Sequence, residues 1–161
     1  MHTGRGCVPR LIFLGGTIMC NNTRYQKSIV RAYNNAAQAI TAGQTALALQ
    51  GAQAVNSGCS IGMETAAYRI RTGGIYHIAA DVTLTAAAVG TASVQIALNA
   101  ASLPCAVSTV TTAENGTYTV HVETDISVPC CPAAGGRTVT ITAGGVAGTV
   151  THVCSGVTRL A

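Results

Sequence analysis

Between Arg69 and Leu84 the chain reads RIRTGGIYHIAADVTL, and no other stretch restricts the fold as tightly. An extended segment meets a Gly73-Gly74 turn and then a long run of period two. Tyr76, Ile78, Ala80, Val82 and Leu84 fall on one face, and Ile75, His77, Ala79 and Asp81 on the other. That alternation is the signature of a half-buried strand. A single strand cannot cover its own apolar face, so the flanking sequence has to supply further strands.

It does so from Ala46 onward. Leu47, Leu49 and Val55 alternate up to an Asn56-Ser57-Gly58 stop. Ser60 to Arg71 carries Ile61, Met63, Tyr68 and Ile70 with a break near Thr65, and Thr91 to Asn99 places Val94, Ile96 and Leu98 inward. Ala100 to Pro104 turns the chain. Ala106–Ala113 and Tyr118–Val128 flank Asn115-Gly116, the strongest local signal for a hairpin. In the second of these runs Tyr118, Val120, Val122, Ile126 and Val128 oppose Thr119, His121, Glu123 and Asp125. Pro129 and Pro132 exclude a central strand around Cys130-Cys131. Val139 and Ile141 mark another strand, Gly144-Gly145 a second hairpin turn, and Gly148–Leu160 the closing strand. About eight short strands at this spacing predict an all-β, antiparallel two-sheet sandwich or jelly roll. The lack of crossover helices between strands excludes a parallel sheet.

The pattern before the strands differs. In 24–42, Ile29, Tyr33, Ala36 and Ile40 recur at spacings of four, three and four, with Gly43 at the end, which predicts a short helix or an irregular arm. The domain reading is therefore a basic N-terminal arm or stem over 1–44 and a jelly roll over 45–161. Of nine Lys and Arg residues, Arg5, Arg10, Arg24, Lys27 and Arg31 gather in that arm, so Arg24, Lys27, Arg31 and Tyr33 are the candidate assembly contacts. No aromatic interleaving or recognition motif accompanies these cations, and nucleic acid is not an expected partner. The apolar run Leu11–Leu14 faintly resembles a signal peptide but is broken by Gly15-Gly16, and Met19 is an alternative start. No membrane span is expected.

Composition adds an anomaly. The chain is 48% hydrophobic yet only 9% charged and 4% aromatic, so it is not disordered, and much of its surface is expected to lie in subunit contacts. Seven cysteines show neither C-x-x-C nor zinc-finger spacing. Most are expected to be buried thiols, no metal is expected, and an oxidised framework is the minority reading.

Chemistry would have to come from His77, His121 and His152 with Asp81, Glu123 and Asp125, all on polar strand faces. His77 with Asp81, or His121 with Glu123, would meet across a sheet and orient an imidazole for base catalysis, the basis of a hydrolase reading. There is no serine elbow and no phosphate-binding loop. The expectation is therefore no catalytic residue, no cofactor and no metal, these groups being hydrogen-bonded polar residues of a solvent- or subunit-facing sheet. Asn21-Asn22-Thr23 and Asn115-Gly116-Thr117 match glycosylation acceptors, the second being better explained by the turn.

Ile70-Arg71-Thr72-Gly73-Gly74-Ile75-Tyr76-His77-Ile78-Ala79-Ala80-Asp81-Val82 resembles the central motif of the tumour-necrosis-factor and complement-like jelly rolls. Val94–Asn99 resembles the following strand of that family and Gly148–Leu160 the closing one, so the likeness spans roughly 45–161. It implies a homotrimer, with Tyr68, Tyr76 and Tyr118 as the aromatic residues offered to subunit interfaces. Charge-poor, Ala/Gly/Thr/Val-rich versions resemble phage virion proteins and spore-surface proteins. The expected function is thus a non-enzymatic virion structural protein, a head fibre or capsid decoration. Its arm would dock on a capsid protein and its jelly roll would project to a host-surface ligand. The alternative is a spore-surface or secreted complement-like binding module.

Overall fold

The computed structural model describes residues 27–130 and 136–161. The described residues contain strands and no helix. In chain order the strands are β1 (Ile29–Asn34), β2 (Gln38–Ile40), β3 (Thr45–Ala46), β4 (Ala52–Ser57), β5 (Ile61–Met63), β6 (Tyr68–Ile70), β7 (Gly74–Ala86), β8 (Gly90–Leu98), β9 (Ala101–Thr112), β10 (Thr117–Val128), β11 (Arg137–Gly144) and β12 (Gly148–Arg159). All pair antiparallel, in two sheets. The first has the order β10-β7-β12-β1-β4, with β2 also on β12. The second has the order β5-β6-β11-β8-β9, with β3 also on β11. The expected two-sheet jelly-roll sandwich is what the chain forms.

β7 lies where its alternation places it. It is covered by β10 on one side and β12 on the other, and Tyr76, Ile78, Ala80, Val82 and Leu84 are all buried against the second sheet's Val94, Ile96, Val139 and Ile141. The turn that starts it needs glycine. Gly74 has φ +147, and a Cβ there would sit 2.2 Å from the carbonyl oxygen of Ala161. That oxygen accepts a hydrogen bond from the Ile75 amide at 3.0 Å, so the turn also ties down the end of the chain.

The short helix is overturned. Residues 29–40 form β1 and β2, which run end to end along one edge of β12, with Val30, Ala32 and Ile40 buried. The four-three-four spacing of Ile29, Tyr33, Ala36 and Ile40 does not mark the buried side. The buried positions of β1 are Val30, Ala32 and Asn34, a period of two. Asn34 tolerates burial because its side chain donates to the Ala48 carbonyl at 2.9 Å and accepts from the Ala36 amide at 2.9 Å. Residues 29–44 therefore belong to the sandwich, and Arg24 and the residues before it lie outside the described ones.

Both predicted hairpin turns are corrected too. β9 and β10, joined through Asn115-Gly116, lie in different sheets, and so do β11 and β12, joined through Gly144-Gly145. Asn115 does take the left-handed conformation, at φ 58, but its amide bonds to the Ala86 carbonyl and the Ala86 amide to that of Gly116, so the turn closes on the end of β7. The two-residue hairpin is Asn99-Ala100, with φ 50 and 66, between β8 and β9. Pro104 is inside β9 rather than in the turn. It is tolerated because β9 is an edge strand whose pairing with β8 is irregular there.

The cysteine expectation also changes. Cys59 is disulfide-bonded, and Cys105, Cys130 and Cys154 are exposed free thiols. Cys7, Cys20 and Cys131 lie outside the described residues.

Candidate functional site

The polar residues of β7 and β10 come together on the outer face of the first sheet. Register fixes the pairs: Thr85 faces Thr117, Thr83 faces Thr119, Asp81 faces His121, Ala79 faces Glu123, and His77 faces Asp125. The threonine pairs hydrogen-bond at 3.0 and 2.9 Å. His121 Nδ1 lies 2.8 Å from Asp81 Oδ1, and His77 Nδ1 lies 2.8 Å from Asp125 Oδ1. Glu123 sits between the two imidazoles, its Oε2 3.5 Å from His121 Nε2 and 3.8 Å from His77 Nε2. The anticipated partners are thus exchanged: neither His77 with Asp81 nor His121 with Glu123 forms the close pair. Strand faces were readable from the sequence, whereas partners depend on the pairing offset between two distant strands.

The hydrogen bond to Asp81 holds the His121 imidazole above the ordinary histidine range, with burial opposing it and a smaller contribution from Glu123 adding to it. Both rings are on an open face, their side chains 38% and 54% exposed, and among the described residues no hydroxyl or thiol hydrogen-bonds to either. The arrangement suits a proton-accepting polar ladder rather than an activated nucleophile. Among the described residues no group of His, Cys, Asp and Glu has the geometry to hold a metal ion. His152 is apart from the ladder; its Nδ1 lies 2.5 Å from Asn35 Oδ1, at the break between β1 and β2.

The rest of this face is mixed. Lys27, Arg31 and Tyr33 are exposed along β1 and its lead-in, and Arg31 lies opposite Gly156. Tyr33, Val55 and Ile75 keep 39%, 39% and 44% of their surface exposed. Of the three tyrosines offered to subunit contacts, Tyr68 and Tyr76 are fully buried within the chain and have no surface for a neighbour. The Tyr68 hydroxyl meets Ser155 Oγ at 2.8 Å across the core, and that of Tyr76 donates to the Thr72 carbonyl at 2.9 Å. Tyr118 is partly buried, and its hydroxyl accepts from the Ala113 amide at 2.7 Å. The exposed aromatic residue that sequence reasoning placed in the arm, Tyr33, is the one on the sheet face. Its helical spacing hid that position, and the alternation of Val30 and Ala32 could have revealed it.

No family model and no curated protein matches the sequence. Solved structures do. Murine APRIL, crystallised at pH 5.0, is similar over 84% of this chain and 100% of its own, with TM-score 0.64 at 11% identity. The chain has the jelly-roll fold of the tumour-necrosis-factor and complement domains. The globular domain of the zebrafish complement 1qA protein matches over 80% of this chain and 94% of its own, with TM-score 0.60 at 11% identity. Eiger TNF from S. frugiperda matches over 84% and 93%, with TM-score 0.61 at 9% identity. At such identities the shared property is the jelly roll itself, and the coverage of this chain exceeds the span that the sequence motifs alone suggested.

Proposed function

We propose that the chain is a non-enzymatic binding module that works as a homotrimer. The observation that carries this reading is the outer face of the first sheet, where Tyr33, Val55 and Ile75 stay exposed in a chain that is only 9% charged. Exposed apolar side chains on a face that carries little charge support a protein contact there. The likeness to APRIL, complement 1qA and Eiger TNF supports self-assembly of jelly rolls as the form of that contact. The exposed, carboxylate-bound imidazoles support a role without covalent catalysis. Light scattering of the purified chain tests the reading, with three times the 16.2 kDa chain mass as the expected value and a monodisperse monomer as the result that overturns it.

The finer part of the proposal is the setting, a virion surface. Small side chains, scarce charge and the cationic residues Arg5, Arg10 and Arg24 ahead of the sandwich support it. Three copies of that leader would bind a capsid protein together, each contact weak and the sum strong. Since Arg31 and Tyr33 sit in β1, docking falls to residues before Lys27. Deleting 1–26 is expected to leave the assembled jelly roll intact and to abolish its recovery with purified particles. Recovery of the truncated chain on particles would remove the leader as anchor, and absence of the full chain from particles would favour a spore-surface or secreted module.

A further inference from the structure

The polar ladder of β7 and β10 alternates carboxylates with imidazoles, and its four contacts are of two kinds. Asp81 Oδ1 lies 2.8 Å from His121 Nδ1, and Asp125 Oδ1 lies 2.8 Å from His77 Nδ1, both hydrogen-bond distances. Glu123 Oε2 lies 3.5 Å from His121 Nε2 and 3.8 Å from His77 Nε2, both too long for a hydrogen bond. A count of protons explains the difference. An ionised carboxylate only accepts, so a hydrogen bond to Asp81 or Asp125 places the ring hydrogen on Nδ1. A neutral imidazole has one N–H, and its Nε2 is then a bare acceptor facing another acceptor, the Glu123 carboxylate. The ladder as it stands is two bonded His–Asp pairs with a carboxylate held off between them. Glu123 also has room to move. It is 60% exposed, and register sets only Ala79 opposite it and Gly156 beyond.

We infer that Asp81, His121, Glu123, His77 and Asp125 work as one proton-operated clasp, in which Glu123 closes onto the imidazoles when protons bind at their Nε2 atoms and is released when those protons leave. The clasp belongs to a single chain and stands whatever the oligomeric state. A proton taken from water at either Nε2 replaces two facing acceptors by a charged N–H donor facing a carboxylate, which draws Oε2 within bonding distance. One carboxylate serves both rings, so the state of one ring alters the other and the two titrate as a unit. The neighbouring strands leave this exchange to the ladder. On β12, Cys154 lies opposite Asp81, Thr158 opposite His77, His152 opposite Thr83, and Arg159 opposite Tyr76. The Arg159 guanidinium is turned to the Gly73 and Ala161 carbonyls, and Arg31 on β1 lies beyond Gly156. β9, packed beside β10, has no charged residue, and its Cys105 Sγ lies 3.7 Å from Thr124 Oγ1. With both rings neutral the three carboxylates of this flank are uncompensated, and with both charged two of them are balanced. The charge that the flank presents to a partner is therefore set by pH.

The rival arrangement is two independent His–Asp pairs to which Glu123 is indifferent, and two measurements separate it from the clasp. Crystal structures of the full chain at about pH 5 and about pH 8, either side of the histidine range, test the movement. A Glu123 oxygen is expected within about 2.7–3.2 Å of an Nε2 in the acid form and beyond that range in the other. A carboxylate in the same place in both overturns the inference. In solution, NMR follows the His121 ring in the unchanged chain, Glu123→Gln and His77→Asn. The glutamine amide donates to a bare Nε2 and carries no charge, so Glu123→Gln is expected to move the His121 titration to lower pH. Loss of the competing ring in His77→Asn is expected to move it to higher pH. Protons bound only in the fold stabilise it on the acid side. Between about pH 8 and about pH 5 the folding equilibrium constant of the unchanged chain is thus expected to gain roughly two- to fivefold more than that of Glu123→Gln. A His121 titration that ignores both substitutions, in chains that melt as the unchanged one does at about pH 8, overturns the clasp and leaves the two independent pairs.

Discussion

The two sheets share one core but present opposite outer faces. On the first, β7 and β10 carry Asp81, His121, Glu123, His77 and Asp125, and β1 adds Arg31 and Tyr33. On the second, the outward positions of β8, β9 and β11 are mostly hydroxyl and amide groups, Thr91, Ser93, Gln95, Thr109, Thr111, Thr138, Thr140 and Thr142, with Val107 exposed among them. Cross-strand hydroxyls stabilise a sheet without long-range fields, whereas paired ions and imidazoles respond to pH, salt and neighbours. The comparison teaches that three of the chain's five acidic residues and two of its four histidines are gathered on the first face, while the second keeps only cations and one ion pair, Arg69 with Glu64, near β6. The pH-responsive groups are thus on the first face, and that face is where function is to be sought.

The sharpest test of the shared core is Tyr68. It belongs to β6 of the second sheet and bonds Ser155 on β12 of the first at 2.8 Å. Tyr68→Ala removes a buried ring and is expected to cost about 3–5 kcal/mol in chemical denaturation. Tyr68→Phe keeps the ring but strands the Ser155 hydroxyl, and is expected to cost about 1–3 kcal/mol. Equal losses for the two variants would mean that the hydroxyl pair, not the packing, joins the sheets.

The outer faces are separated by a matched pair of substitutions. Tyr33→Glu on the first sheet is expected to weaken assembly by about tenfold, or ~1.4 kcal/mol, while Thr140→Glu on the second leaves the sedimenting mass unchanged. The opposite pattern would move the contact to the hydroxyl face.

Much of this division was legible in the sequence, and the failures have physical reasons. The faces of β7 and β10 followed from strict alternation over 13 and 12 residues, long enough that no other period fits. β1 has six residues, too few to separate a period of two from chance spacings of three and four, and its buried Asn34 breaks the apolar pattern. Asn-Gly and Gly-Gly reported turns correctly but not which sheet each strand joins, because a left-handed residue serves an arch between sheets as well as a hairpin. For the ladder, residue types and face were legible and partners were not. His121 finds Asp81, 40 residues earlier, only because β7 and β10 pair with that offset.

A pH measurement sharpens the contrast further. His121 is held above its ordinary value in the folded chain, chiefly by the hydrogen bond to Asp81. A raised folded pKa gives stability that is fully present below the ordinary histidine value of about 6.5 and is lost as pH rises through the higher folded value. Thermal melts are therefore expected to decline across that window, and Asp81→Asn to flatten the decline and bring the His121 titration, followed by NMR, back toward the ordinary value. Retention of the slope in Asp81→Asn would assign it to another group.

The smallest effect belongs to the second sheet's own ion pair. Arg69 Nε on β6 donates to Glu64 Oε1 at 2.5 Å, and this bond holds the Glu64 carboxyl below the ordinary range. A lowered folded pKa gives stability that is present above the ordinary carboxylate value of about 4.3 and is lost as pH falls through the folded one. The pair is nonetheless exposed and solvated, so its attraction is largely screened in physiological salt. Glu64→Gln is thus expected to leave the melting temperature at neutral pH within experimental error, and to leave assembly untouched. Geometry alone would rank this contact, the shorter one, above His121–Asp81 at 2.8 Å. A Glu64→Gln shift as large as that of Asp81→Asn would show that proximity, not placement on the first face, governs these ion pairs, and would dissolve the distinction between the two sheets.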